Sequence, residues 1–338
     1  MIAITYDKVE VALASIKDSI DVYAQKKQTE LESLLSELTS FIENPEENTL
    51  PEGCCTEPEQ LERQKKFLEF IVEKKVARLI RAKHHEIIDW SKNTELNSST
   101  LCKSFREKIK GIFGYNGQRQ ESYFINYFEK LGIKACVYCN AQSTIVAEKD
   151  GEAKSQARFE CDHFLGQSEY PAFSMSFYNL YPVCGPCNKK KSDDPVDLNL
   201  YVEKEEDIKK HRFLFRFEDT DRAYYLLEKK LEKLVVKFMD FHDEEGKFGD
   251  KFNISGIYGK YRDIAEELIR KKVVYTPKYM DILNEEFFKR MGDKKDLRDR
   301  LIIGNYSRPE EIHKRPLSKF SQDIARQLGL LQPPEKKK

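Results

Sequence analysis

Two Cys-x-x-Cys pairs constrain this chain more than any other feature: Cys136-Val137-Tyr138-Cys139 and Cys184-Gly185-Pro186-Cys187. Two such hooks can present four thiolates at the corners of a tetrahedron, the geometry Zn²⁺ prefers at structural sites. The gap between them is longer than in a simple zinc ribbon, which weakens the pattern taken alone and leaves its contents to restore it. A thioredoxin-like redox site fits less well, because neither pair follows a βαβ pattern. Eight cysteines in 338 residues are too few for a disulfide framework. Cys161 reads as a buried strand thiol, and Cys54, Cys55 and Cys102 as incidental.

Lys+Arg and Asp+Glu both number 58, so the net charge is zero. That argues against a general nucleic-acid coat protein, whose footprint is a basic excess, and makes any polyanion site local. There is no apolar run of about 18 residues, hence no expected membrane span. The opening MIAITYDKVEV lacks a basic start followed by an apolar stretch, so the expectation is no secretory signal and a cytoplasmic location. The closing PPEKKK reads as a disordered tail.

The expected fold class is α+β and predominantly helical. A small β-containing module at 133–195 lies between helical regions at 1–132 and 196–338. Leu31, Leu34, Leu35, Leu38, Phe41 and Ile42 recur at helical spacing up to the break at Asn44-Pro45. An acidic loop over 43–59 precedes one long helix carrying Leu68, Ile71, Val72, Val76, Leu79, Ile80, Ile87 and Ile88 on one side. Helical segments follow near 101–112 and 118–131. Strands are expected at 143–149 and 157–166, joined by a turn at Asp150-Gly151, and at 177–183 and 212–218. Further helices are expected at 221–239, 260–274, 278–291 and 316–330. His84-His85-Glu86 imitates a zinc-protease helix only briefly, since Asp89 stands where the second histidine belongs.

The contents of the clamp point to chemistry. Cleaving a phosphodiester needs a hard cation on the phosphate and a base for the attacking water. Asp162 and Asn188 offer a carboxylate and an amide oxygen, and His163 a neutral imidazole. Asp162 and His163 are neighbours, so on a strand they face opposite ways, and a bend is expected to bring them into one site. Lys189, Lys190 and Lys191 supply half the positive charge between Cys136 and Lys191, suiting a phosphate backbone.

Asp162-His163, then Asn179-Leu180, then Cys-x2-Cys-Asn-x2-Lys resembles the HNH endonucleases, with their ββα-metal fold and flanking zinc knuckles. The resemblance covers roughly residues 133–195. It implies that His163 is the general base, that Asp162 and Asn188 ligate the catalytic ion, and that Asn179 holds the loop orienting His163. It also implies structural Zn²⁺ on Cys136, Cys139, Cys184 and Cys187. Asn188 stands where many members carry histidine, an "HNN" version that leans toward Mg²⁺ or Mn²⁺.

The functional expectation is a metal-dependent endonuclease acting on DNA. Long helical flanks without a G-x-x-x-x-G-K-[ST] loop resemble the plan of anti-phage effectors, such as Septu-type and some retron systems, that work beside a separate ATPase. Two other readings stand beside it: cleavage of structured RNA such as tRNA, and an inactive zinc-stabilised binding module.

Overall fold

The computed structural model describes residues 2–92, 100–148, 155–192, 199–204, 213–240, 247–290 and 295–331. The chain is α+β and mostly helical, with four two-stranded sheets among the described residues. Strand β1 (Ile4–Thr5) leads into α1 (Tyr6–Ala14) and the long α2 (Lys17–Glu43), which stops at Asn44 where the apolar periodicity stops. Ile20, Leu31, Leu34 and Leu38 are its buried stripe.

The single helix expected after the acidic loop is instead three: α3 (Pro58–Lys74), α4 (Val76–Arg81) and α5 (His84–Ser91). Lys75 breaks it by adopting φ +66, a region a side chain occupies only at some cost. The freed Val76 N–H donates to Gln28 Oε1 of α2, so a tertiary bond replaces a helical one. Helix periodicity carries across such a break because both halves pack on α2. Helices α6 (Lys103–Phe113), α7 (Tyr115–Gln118) and α8 (Ser122–Leu131) complete this part. Cys55 and Cys102, expected to be incidental, are joined as a disulfide.

Strands β2 (Ile145–Ala147) and β3 (Gln156–Arg158) form one hairpin; the expected turn at Asp150-Gly151 lies outside the described residues. β4 (Glu160–His163) pairs antiparallel with β5 (Leu180–Val183), and α9 (Gly185–Lys191) follows at once. Beyond it, β6 (Tyr201–Val202) pairs parallel with β1, tying the N-terminus to the segment after α9.

β7 (Phe213–Phe217) pairs with β8 (Val236–Asp240), which corrects the helix expected over 221–239. That stretch divides: α10 (Asp219–Glu228) ends at Lys229 in the left-handed region, and the β-branched Val235-Val236 leads into a strand. Helices α11 (Lys247–Lys251), α12 (Ile254–Tyr258), α13 (Arg262–Val274), α14 (Pro277–Leu283), α15 (Lys295–Ile303) and α16 (Ser318–Gln327) complete the described fold.

One apolar core draws on all three stretches, from Ile4 and Phe67 through Tyr138 and Phe177 to Phe320. Asn140, directly after the first hook, is the main polar link to the C-terminal part. Its Nδ2 donates to Ile312 O (2.9 Å), while its Oδ1 accepts from Lys319 N (3.0 Å). Tyr258 adds a bond to Cys139 O (2.7 Å). No helix among the described residues is long and apolar enough to cross a membrane.

Candidate active site and metal centre

The two hooks meet. Sγ atoms of Cys136, Cys139, Cys184 and Cys187 lie within 4.8 Å of one another, with Cys139 and Cys184 at 3.9 Å. Zn–S bonds of about 2.3 Å at tetrahedral angles separate sulfurs by roughly 3.8 Å, so the four thiols suit Zn²⁺. Local structure sets the spacing: Asn140 N–H donates to Cys136 O, Ala141 N–H points at Cys139 Sγ, and Cys184 and Cys187 open α9. Burial opposes ionisation of Cys136, yet hydrogen bonds from its three neighbours hold its pKa well below the ordinary value. Cys139 and Cys187 are raised, chiefly by their bonds to Cys136. Four thiols sharing so little space cannot all ionise by themselves; a divalent cation is what makes a four-thiolate centre favourable.

From this clamp the chain runs out along the β4–β5 hairpin, and the register decides the rest. Asp162 pairs with Tyr181 and His163 with Leu180, with no bulge between them. The expected bend is absent, and the two side chains take opposite faces of β4, as the pleat requires.

On one face His163 is 6% exposed. Its Nε2 lies 3.0 Å from Ser174 O, and a carbonyl only accepts, so Nε2 carries the proton and Nδ1 keeps the lone pair. The ring stands edge-on to Tyr115 at 4.5 Å. Burial pulls its pKa down to about 4, helped by the nearby charges of Lys191, Lys110 and Arg119 and opposed by the Ser174 bond. At neutral pH it is an uncharged base of fixed tautomer. Cys161, on the same face, lines a cleft of about 350 Å³ with Arg119, Phe124, Gln156 and Phe159.

On the other face Asp162, 4% exposed, accepts from Tyr138 Oη through Oδ2 and pairs with Lys191 Nζ (3.0 Å) through Oδ1. Burial raises its pKa, and Lys191 and Tyr138 work against that rise. Lys191 also donates to His163 O (2.8 Å). Asn188, one turn earlier on α9, donates through Nδ2 to Glu160 Oε2 (2.7 Å). Glu160 and Asp162 thus meet Asn188 and Lys191 in two rungs that fasten α9 to β4.

Two expectations change here. Lys191 does not face a phosphate backbone with Lys189 and Lys190: it is 2% exposed, because Asp162 and the His163 carbonyl draw its ammonium inward, while Lys189 and Lys190 remain exposed. Asp162 and Asn188 share a face, but each is engaged by its own partner, and the His163 ring lies across the strand. Among the described residues, the four cysteines are the group of His, Cys, Asp or Glu donors, three or more strong, that converges as a metal site does.

Asn179 closes the turn that leads into β5. Its Oδ1 accepts from Leu165 N (2.8 Å), and its Nδ2 donates to Leu165 O (3.1 Å) and Phe173 O (3.0 Å). It therefore binds both ends of the segment that delivers Ser174 to His163.

Sequence reasoning missed Tyr138, Glu160, Tyr115 and Asn140. Glu160 had a signal, since it alternates with Asp162 along the strand; Asn140 had another, since an asparagine follows each hook. Tyr138 lies inside the first hook, and nothing in its spacing predicts that it reaches Asp162.

Comparison of the chain with family models, with curated proteins and with solved structures yields no match.

Proposed function

We propose that this chain is a zinc-stabilised, metal-dependent endonuclease with His163 as general base. The observation carrying that reading is a buried, neutral imidazole whose tautomer is fixed by Ser174 O, adjacent in sequence to a buried carboxylate, on a hairpin that enters a helix through a four-cysteine clamp. With Nε2 protonated against Ser174 O, Nδ1 is the ring nitrogen that carries a lone pair to take a proton from water. Asp162 and the amide oxygen of Asn188 are the hard donors that would hold Mg²⁺ or Mn²⁺, with Asp162 giving up a protein partner to do so. When bound, such an ion supplies Lewis-acid stabilisation of the phosphate and of the leaving oxygen. Asn179 and Ser174 hold the imidazole, Tyr138 and Lys191 hold the carboxylate, and the exposed Lys189 and Lys190 attract the backbone. DNA is the proposed substrate, and delivery to it by a separate ATPase belongs to the same proposal.

A specific observation favours a second reading. Both oxygens of Asp162 already have partners within the protein, which suits an inactive zinc-stabilised binding module. Incubating the purified protein with plasmid DNA and with total RNA, each with Mg²⁺ or Mn²⁺, separates the readings. Cleavage of DNA that disappears in Asn188→Ala and in Asp162→Asn, each checked to be folded and zinc-loaded, supports the first; RNA cleavage moves the substrate; no cleavage of either leaves the binding module.

A further inference from the structure

A second charged site lies far along the chain from the hairpin. Three cations surround one half-buried ring: Arg300 Cζ lies 4.8 Å from the Tyr306 centroid, Lys314 Nζ 5.3 Å and Arg315 Cζ 5.4 Å. A fourth approaches from α13, since a Cβ added at Gly304 would lie 3.8 Å from Lys271 Nζ. Arg315 Nη1 donates to Gly304 O (3.3 Å), so the turn after α15 gathers groups from three separate elements.

Their counter-ions are few. Lys314 pairs with Glu311 (2.8 Å), and Arg308 next to the cluster pairs with Asp296. Among the described residues no carboxylate pairs with Arg300, Arg315 or Lys271. In a chain with 58 cationic and 58 anionic side chains, such a cluster is a local excess. Arg300, Lys314 and Arg315 each lie within 5.4 Å of one ring centroid, hence within roughly one Debye length of one another, so salt screens their repulsion only in part. The ring face offsets part of it, since the negative face of an aromatic ring attracts a cation placed over it. An anion bridging the guanidinium groups relieves the rest, and a guanidinium fork matches a phosphate in shape.

We infer that Lys271, Arg300, Lys314 and Arg315, braced by Tyr306, form a docking surface for the phosphate backbone of duplex nucleic acid. Several phosphates in a row are what a cluster built from three elements can engage at once, and phosphate contacts fix register without reading bases. The inference deepens the proposed nuclease reading by giving the C-terminal helices a part in holding substrate.

The test uses the full chain in a His163→Ala background, so that duplex DNA survives, with a fluorescein-labelled 30-base-pair duplex followed by anisotropy across a salt series. The variants are Arg300→Gln/Arg315→Gln and, to leave the Gly304 bond intact, Lys271→Gln/Arg300→Gln. Zinc content and thermal unfolding are checked for each. Two lost phosphate contacts flatten the log–log salt slope by about 2 and weaken binding roughly tenfold near 0.1 M salt. Folded variants that bind with the parent's affinity and slope overturn the inference. So does binding of phosphatidylserine vesicles in place of the duplex, because the surface then serves a membrane. A parent that cleaves DNA while these variants bind normally sinks the surface and leaves the nuclease reading standing. A parent that binds through this surface and never cleaves does the reverse.

Discussion

Lys191 Nζ lies 3.0 Å from Asp162 Oδ1, and both side chains are 5% exposed or less. A buried pair of this kind is weak evidence for added stability, because desolvating two ions costs about what their attraction returns. Removing one partner is a different matter, since it strands the other charge. Lys191→Met is expected to destabilise the fold by about 3–5 kcal/mol, and Asp162→Asn/Lys191→Met to recover much of that loss. Urea unfolding of the four species of the cycle measures it. Additive losses would show that the two groups do not depend on each other.

Zinc is expected at one ion per chain, and Cys187→Ser is expected to lower both metal content and thermal stability, because binding free energy at a structural site is folding free energy. Metal analysis with calorimetry checks both. Full zinc occupancy in the serine variant would contradict the four-cysteine centre.

Asn179→Ala removes three hydrogen bonds and leaves the half-buried Leu165 N–H and C=O without their partner, while Phe173 O keeps its bond from Ser176 N–H (3.1 Å). At about 1–3 kcal/mol for an unsatisfied buried group, the expected loss is roughly 2–5 kcal/mol. Faster amide exchange over residues 164–175 should accompany it. Exchange unchanged there would mean that Asn179 does not hold the segment.

Acid should weaken the fold over a defined window. Burial depresses His163 and His84 to about 4 and His313 to about 3, below the ordinary histidine value near 6.5. In the unfolded chain each takes a proton as pH falls through about 6.5, whereas in the folded chain each stays neutral until pH approaches its own lowered value. The unfolded state therefore binds more protons in between, and stability falls as pH drops from about 6.5 toward 4. Each group contributes on the order of 2–3 kcal/mol by pH 4.5. Unfolding curves at pH 7 and 4.5 test this, and His84→Phe should flatten the dependence. Equal stability at both values would contradict the burial of these rings as neutral groups.

Much of this was readable beforehand, for physical reasons. The stripe of α2 and the breaks around it follow from helical spacing and the Asn44-Pro45 stop, and Asp162 and His163 fall on an expected strand, whereas Asn179, expected within a strand over 177–183, closes a short turn before β5. What could not be read depends on tertiary partners. Lys75 breaks a helix because Gln28 waits on α2 to take the freed N–H. Val236 to Asp240 become a strand because Phe213 to Phe217 offer an edge. Lys191 looks like its neighbours in sequence, and only the position of α9 over β4 turns it inward. The pairing of Cys55 with Cys102 likewise depends on where two loops meet.

His163 is the proposed base. Nδ1 should stay unprotonated well below neutral pH, so cleavage should keep its rate as pH falls through about 6.5 and lose it only toward pH 4. The most direct measurement is plasmid cleavage in Mg²⁺ or Mn²⁺ by the parent and by His163→Ala, with zinc content and unfolding temperature recorded for both. The parent is expected to cut, and the variant to be folded, zinc-loaded and at least a hundredfold slower, since a positioned base contributes about 10²–10⁴ in rate. A folded variant that cuts as fast as the parent would contradict it.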